Sequence, residues 1–290
     1  MKILITGEKG QLALELQKCN PDNIELIALG RNELDITSAS QVTEAITEYK
    51  PEVVINAAAY TAVDKAETEK GQAFAVNASG PENLAKACKA FGTRLIHIST
   101  DFVFDGQSST PYQPQDVVRP LGVYGESKAA GERAVQSLLP GAVILRTAWV
   151  YSAHGVNFVN TMLRLMRERE QLGVVADQIG TPTSTRTLAG AIYALVNKRD
   201  ARGIYHCTDA GVASWYDFAV AIFEEARQVS LLPLEKTVRI QPIGTTDYPT
   251  PAARPAYSVL DKARLMKDLG IELQHWRQTL RWVLKERAGI

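Results

Sequence analysis

The sequence predicts an α/β fold, with a doubly wound parallel sheet followed by a smaller α+β region. Three observations carry this reading. Short β-rich runs alternate with helical stretches from Lys2 to Thr147, the pattern that lays helices on both faces of a parallel sheet. The first run, Lys2–Thr6 (KILIT), leads straight into Gly7-Glu8-Lys9-Gly10-Gln11-Leu12-Ala13 and a helix. Beyond residue 150 the regular alternation stops.

In that first turn Gly7 allows the tight reversal, Gly10 lets the backbone approach a pyrophosphate, and Ala13 permits close helix–strand packing. The helix, 11–19, would point unpaired N–H groups and its positive dipole end at an anion. This is the Gly-x-x-Gly-x-x-Ala signature of Rossmann-type dinucleotide sites. A Gly-rich turn without a ligand is the bland alternative, disfavoured by the position directly after the first strand.

The second strand, 24–29, ends at Gly30-Arg31-Asn32. NAD sites usually carry an acid here for the ribose 2′-hydroxyl. Arg31 suits a 2′-phosphate instead, or is an ordinary surface arginine, so the residues only lean to NADP. Asp35 and Ile36 follow, then an amphipathic helix at 40–50. A third strand, 51–59, places Ala58, Ala59 and Tyr60 at its C-terminal end, where open parallel sheets hold ligands; structural alanines would read the same. A helical stretch at 72–91, broken at Gly80-Pro81, turns Phe74, Val76, Leu84, Ala87 and Phe91 inward.

The fourth strand, 94–99, carries Thr100 and Asp101 just past its end. After a loop come Tyr124-Gly125-Glu126-Ser127-Lys128 and a helix at 127–135. Tyr124 and Lys128, four apart, share one helix face. A phenol beside an ammonium is an acid drawn toward working pH, and a strand-end hydroxyl can hold a substrate oxygen. Together they could protonate a carbonyl while hydride arrives from elsewhere. With 10 Tyr in 290 residues, chance alone yields roughly half a Tyr-x-x-x-Lys match. The dyad therefore takes its weight from Thr100 and the phosphate turn.

A fifth strand, 142–147, precedes Trp149. Helices follow at 157–169, 187–197, 215–228 and 276–287, with short strands at 172–176 and 203–207 and a loop at 177–183. Ser214 and Asp217 form an approximate capping box for the third of these helices. Arg254, bracketed by Pro249, Pro251 and Pro255, could grip a phosphate bidentately; an exposed turn arginine is as good a reading. The expected division is a cofactor domain at 1–150, with 172–200 packing back on it, and a substrate region at 151–290.

Composition narrows the function. Lys plus Arg equals Asp plus Glu at 32 each, so no net field draws the chain to nucleic acid or an anionic membrane. Cys19, Cys88 and Cys207 are scattered, which argues against a disulfide framework or a zinc site. No apolar run reaches membrane-spanning length, and the first strand begins at Lys2, leaving no room for a signal peptide. The expectation is a cytoplasmic protein.

Several blocks resemble the extended short-chain dehydrogenase/reductases and, within them, the dTDP-4-dehydrorhamnose reductase family. They include VVINAAAYTAVDKAE at 53–67, IHISTDFVFDG at 96–106, VYGESKAAGE at 123–132, LRTAWVY at 145–151 and YPTPAARPAYSVLD at 248–261. The resemblance implies reduction of the C4 ketone of a dTDP-4-dehydro sugar with NADPH, NADH being the alternative. It puts Gln11 and Leu12 against the pyrophosphate, Asp35 and Ile36 by the adenosine, and Ala58–Tyr60 along the middle of the cofactor. It makes Thr100, Tyr124 and Lys128 catalytic and brings Asp101 and Trp149 to the sugar nucleotide. Phe102 and Ala253 depart from residues frequent in the family, Tyr and Arg. Some relatives bind Mg2+ at a dimer interface. A homodimer is thus admitted by the resemblance, but those metal ligands match no positions here. Two rivals are a non-catalytic regulatory subunit of methionine adenosyltransferase type, against which the intact Thr100, Tyr124 and Lys128 argue, and an epimerase or dehydratase on the same scaffold.

Overall fold

The computed structural model describes all 290 residues. Six strands build one parallel sheet: β1 (Lys2–Thr6), β2 (Glu25–Leu29), β3 (Val53–Asn56), β4 (Arg94–Thr100), β5 (Val143–Thr147) and β6 (Gly203–His206). Their order is β6-β5-β4-β3-β1-β2, so successive strands step one way from β1 to β2 and the other way from β3 onward. The central strands read as nearly continuous apolar runs because both faces are covered. Ile3, Ile5, Val53, Ile55, Ile96 and Leu145 face helices Gln11–Lys18 and Thr185–Asn197. The alternating Leu4, Val54, Leu95 and Ile144 face helices Ala39–Tyr49, Gly80–Phe91 and Val123–Leu138.

Four expectations change here. The sheet takes its edge strand β6 from beyond residue 150, because Gly203–His206 pairs in parallel with β5. The stretch 172–200 splits. Thr185–Asn197 does pack on the first helix, but Gln171–Val175 pairs with Arg239–Ile243 in a separate two-stranded sheet. The expected break at Gly80-Pro81 is no break. Lys70–Phe74 runs through a π-helical turn, Ala75–Ser79, into Gly80–Phe91. Pro81 sits directly after the π-turn, at the start of that last segment. Phe91, read as inward, is 48% exposed.

A second core gathers helices Phe158–Glu168, Trp215–Gln228 and Trp276–Ala288 around Tyr151, Phe218 and Leu280. The Ser214–Asp217 capping box is complete, each partner accepting from the other's backbone N–H. No helix is long and apolar enough to cross a membrane.

Candidate active site

A cleft of about 820 Å³ opens beyond β1, β2 and β3, where the strand order reverses. Open α/β sheets bind ligands at such a point. Gly7 and Gly10 line its floor, Ala58, Ala59 and Tyr60 one wall, and Arg31, Asp35 and Ile36 the far end. Gly7 has φ +80°, and a Cβ there would come within 3.0 Å of the Ala58 backbone. The helix beyond has no side-chain cap, and the N–H groups of Gln11, Leu12 and Ala13 find no acceptor in the chain. They form a ready anion site. The side chains of Gln11 and Leu12 do not line the cleft. Leu12 is in the core, and the Gln11 carbonyl accepts from Ser152 Oγ at 2.9 Å and Asn157 Nδ2 at 2.8 Å. Only their backbones can meet a pyrophosphate.

At the far end Arg31 Nε lies 3.6 Å from the Asp35 carboxylate. The Thr37 backbone N–H and hydroxyl hold that carboxyl below its usual range. The arginine side chain is 70% exposed, so the pair is worth only ~0–1 kcal/mol. Arg31 can give up Asp35 for a phosphate.

The cleft is tied to the Tyr124–Lys128 helix by Asn77, a buried residue on the π-turn. Its Oδ1 accepts from Tyr60 N–H at 2.9 Å, and its Nδ2 donates to Tyr60 O at 3.0 Å and Ser127 Oγ at 3.1 Å. Tyr60 and Tyr124 pack against the same small cluster of Ala66, Ala73 and Val123. The helix, Val123–Leu138, begins one residue before Tyr124. Gly125 lets it lie hard against the end of β4, since a Cβ there would meet Phe102 O at 2.2 Å. The Phe102 ring meets Tyr124 edge-on, centroids 5.5 Å apart.

The electrostatics differ from the sequence expectation. Burial pushes the Tyr124 phenol up to about 12, the Thr100 hydroxyl lowering it and the Asp101 charge raising it. Lys128 does not draw it down. The Lys128 ammonium instead donates to Ile98 O at 2.6 Å, and burial pushes it down to about 8 against the raising effect of Glu132. The phenol is therefore protonated at neutral pH, a loaded acid rather than a half-ionised one. Thr100 Oγ1 donates to Asp101 Oδ1 at 3.0 Å and accepts from Phe102 N–H at 3.2 Å. Burial raises Asp101 to about 6, and its Oδ2 has no hydrogen-bond partner in the chain. Thr100, Asp101 and Tyr124 thus form one polar group at the mouth of β4.

Trp149 and Arg254 lie further out. Trp149 has φ +46°, and its ring stacks on Trp215. Trp215, Phe158, Gln178, Tyr248 and Arg254 line a second cleft of about 490 Å³. The Arg254 guanidinium is already engaged. It donates to Asp64 at 2.9 and 3.1 Å and to Ala252 O at 3.1 Å, so a phosphate would have to compete with Asp64. Sequence reasoning missed Asn77, Trp215 and Gln178, together with Glu8, Lys9 and Gln72 on the first cleft. The signals that could have found some of them were the capping box before Trp215 and the Gly7–Gly10 turn that encloses Glu8 and Lys9.

Comparison with known proteins bears on this geometry. The model of the RmlD substrate binding domain family matches residues 1–288. The dTDP-4-dehydrorhamnose reductase of Aggregatibacter actinomycetemcomitans is 46% identical over 97% of both chains. The chain belongs to the dTDP-4-dehydrorhamnose reductase family. The Escherichia coli K12 member is 41% identical over 99% of this chain and 98% of its own. A crystal structure of the Bacillus anthracis member in complex with NADP superposes with a TM-score of 0.93 at 38% identity, covering 98% of this chain and 99% of that one. This family member is an oxidoreductase on a Rossmann-type sheet.

Proposed function

We propose that this chain reduces the C4 ketone of dTDP-4-dehydro-L-rhamnose to dTDP-L-rhamnose, using NADPH in preference to NADH. The single observation that carries the reading is the grouping of Thr100, Asp101, Tyr124 and Lys128 beside a dinucleotide-sized cleft, in a chain of this family. The cleft fits the cofactor: small walls at Ala58 and Ala59, unpaired N–H groups at Gln11–Ala13, and a movable Arg31 for a 2′-phosphate. A reduced nicotinamide bound there supplies the hydride.

The chain's residues then handle the oxygen. As the ketone oxygen gains charge, the Tyr124 O–H donates its proton; an alkoxide is far more basic than a phenolate, so transfer from an acid near 12 still runs downhill. Thr100 turns its hydroxyl from Asp101 to the same oxygen, and the unpartnered Asp101 Oδ2 accepts from a sugar hydroxyl. Lys128 holds the cofactor ribose hydroxyls. The second cleft, with Trp215 braced by Trp149, takes the nucleotide, and Arg254 trades Asp64 for the diphosphate. Residues up to about 150, with 185–206, serve the cofactor; most of the remainder serves the sugar nucleotide.

The test is cofactor absorbance with the ketosugar present. Stoichiometric NADPH oxidation supports a reductase. Turnover of the sugar without net oxidation would make it an epimerase, and no turnover by folded protein would leave a binding protein.

A further inference from the structure

Beyond the dyad, the Tyr124 helix carries a second buried constellation on the same face. Tyr124, Lys128 and Glu132 are spaced four apart, so they stack along one stripe. Both Glu132 oxygens are taken by Arg146, with Nε to Oε1 at 2.9 Å and Nη2 to Oε2 at 2.7 Å. Neither side chain is more than 3% exposed. Arg146 is on β5, in register with Ser99, the residue before Thr100. Its remaining Nη1 donates to Pro114 O at 3.2 Å and to His206 Nε2 at 3.4 Å, and its guanidinium covers the Phe104 ring at 5.0 Å. His206 Nδ1 lies 3.1 Å from Tyr112 O, which makes Nδ1 the protonated nitrogen and Nε2 the acceptor. One arginine thereby fastens the Tyr124 helix, the 104–122 loop and β6 to the strand end that bears Thr100.

We propose that Glu132 and Arg146 are a positioning pair for the Tyr124–Lys128 dyad: Glu132 sets a buried carboxylate one helical turn beyond the Lys128 ammonium on the same stripe, and Arg146 fixes that carboxylate and the covering loop against β5. The proposal rests on the reductase reading for its effect on turnover. A buried ion pair is a poor way to gain stability, since apolar residues of similar size often do as well, so a role in the site accounts for it better. The other groups facing Lys128 cannot replace Glu132. His97 on β4 is buried and held well below its usual range, hence neutral. Ile98 offers only a carbonyl. Ser127 and Asn77 on the π-turn side are uncharged, and the Asp101 carboxylate sits with Thr100 beside Tyr124, whose phenol it raises.

Lysine side-chain NMR titration, with the Lys128 resonance identified by its loss in Lys128→Met, reads the pair directly. Glu132→Gln should move the Lys128 midpoint down by about one pH unit and lower kcat by roughly tenfold to a hundredfold. The alkaline limb of kcat/KM should move to lower pH with it. Because Glu132→Gln leaves Arg146 buried and unpaired, the double variant Glu132→Gln/Arg146→Met guards against misfolding and should shift the midpoint in the same direction. Glu132→Asp keeps the charge and should keep the midpoint. An unchanged midpoint in the folded double variant would overturn the proposal, as would a loss of kcat that only tracks the loss of folded protein. If the wild type fails to oxidise NADPH with the ketosugar, the reductase reading falls while the Lys128 midpoint still decides the pair.

Discussion

The indole rings of Trp149 and Trp215 stack with centroids 3.5 Å apart and planes 5° from parallel. The partner from the second core braces Trp149 in a left-handed backbone conformation, φ +46°, that costs a non-glycine residue of order 1–3 kcal/mol. Gly180 makes room, since a Cβ there would fall 2.6 Å from the Trp149 ring. Aromatic stacking is worth ~0.5–1.5 kcal/mol beyond area burial, so it offsets part of that strain. Trp215→Ala should raise the KM for the sugar nucleotide about three- to tenfold while leaving NADPH affinity unchanged. Steady-state kinetics with each substrate varied in turn checks this. A rise confined to the KM for NADPH would misplace the second cleft.

Lys128 makes activity and stability respond oppositely to pH. Its ammonium is held to about 8 against an ordinary 10.5. Turnover and NADPH affinity should fall as pH rises through about 8, because the cation that holds the ribose is lost. Stability has the other sign. A base whose folded value is depressed binds fewer protons folded than unfolded between these two values, so its contribution to stability grows as pH rises through that window. Paired pH–rate and pH–Tm curves test both, and Lys128→Met should flatten the two slopes.

Arg31→Ala should raise the KM for NADPH about tenfold and that for NADH little, since the weak Asp35 pair is its only ion pair in the chain. Equal effects on both cofactors would mean that Arg31 does not meet the 2′-phosphate.

Much of this was readable from the chain. KILIT followed by Gly-x-x-Gly-x-x-Ala located β1 and the cleft, and Thr100, Tyr124 and Lys128 do converge at the end of β4. Contacts between distant residues were not readable. Arg254 and Asp64 are 190 positions apart, and no local pattern reveals that a lone arginine is already paired. Pro242 hid the strand Arg239–Ile243, because proline interrupts the alternation by which strands are recognised. The direction of the Tyr124 shift failed for a physical reason. Spacing put an ammonium one turn away, but it could not show that the ammonium donates to Ile98 O or that burial dominates the phenol.

Tyr124 is the proton donor of the proposed reduction, and kcat of Tyr124→Phe with the ketosugar and NADPH tests that role most directly. Phenylalanine keeps the ring that packs on Phe102 and removes only the hydroxyl. With folding confirmed by circular dichroism, kcat should drop ~10²–10⁴-fold, with the dissociation constant for NADPH unchanged. A kcat close to wild type, under conditions where chemistry limits the rate, would mean that the proton comes from another group and would contradict the assignment.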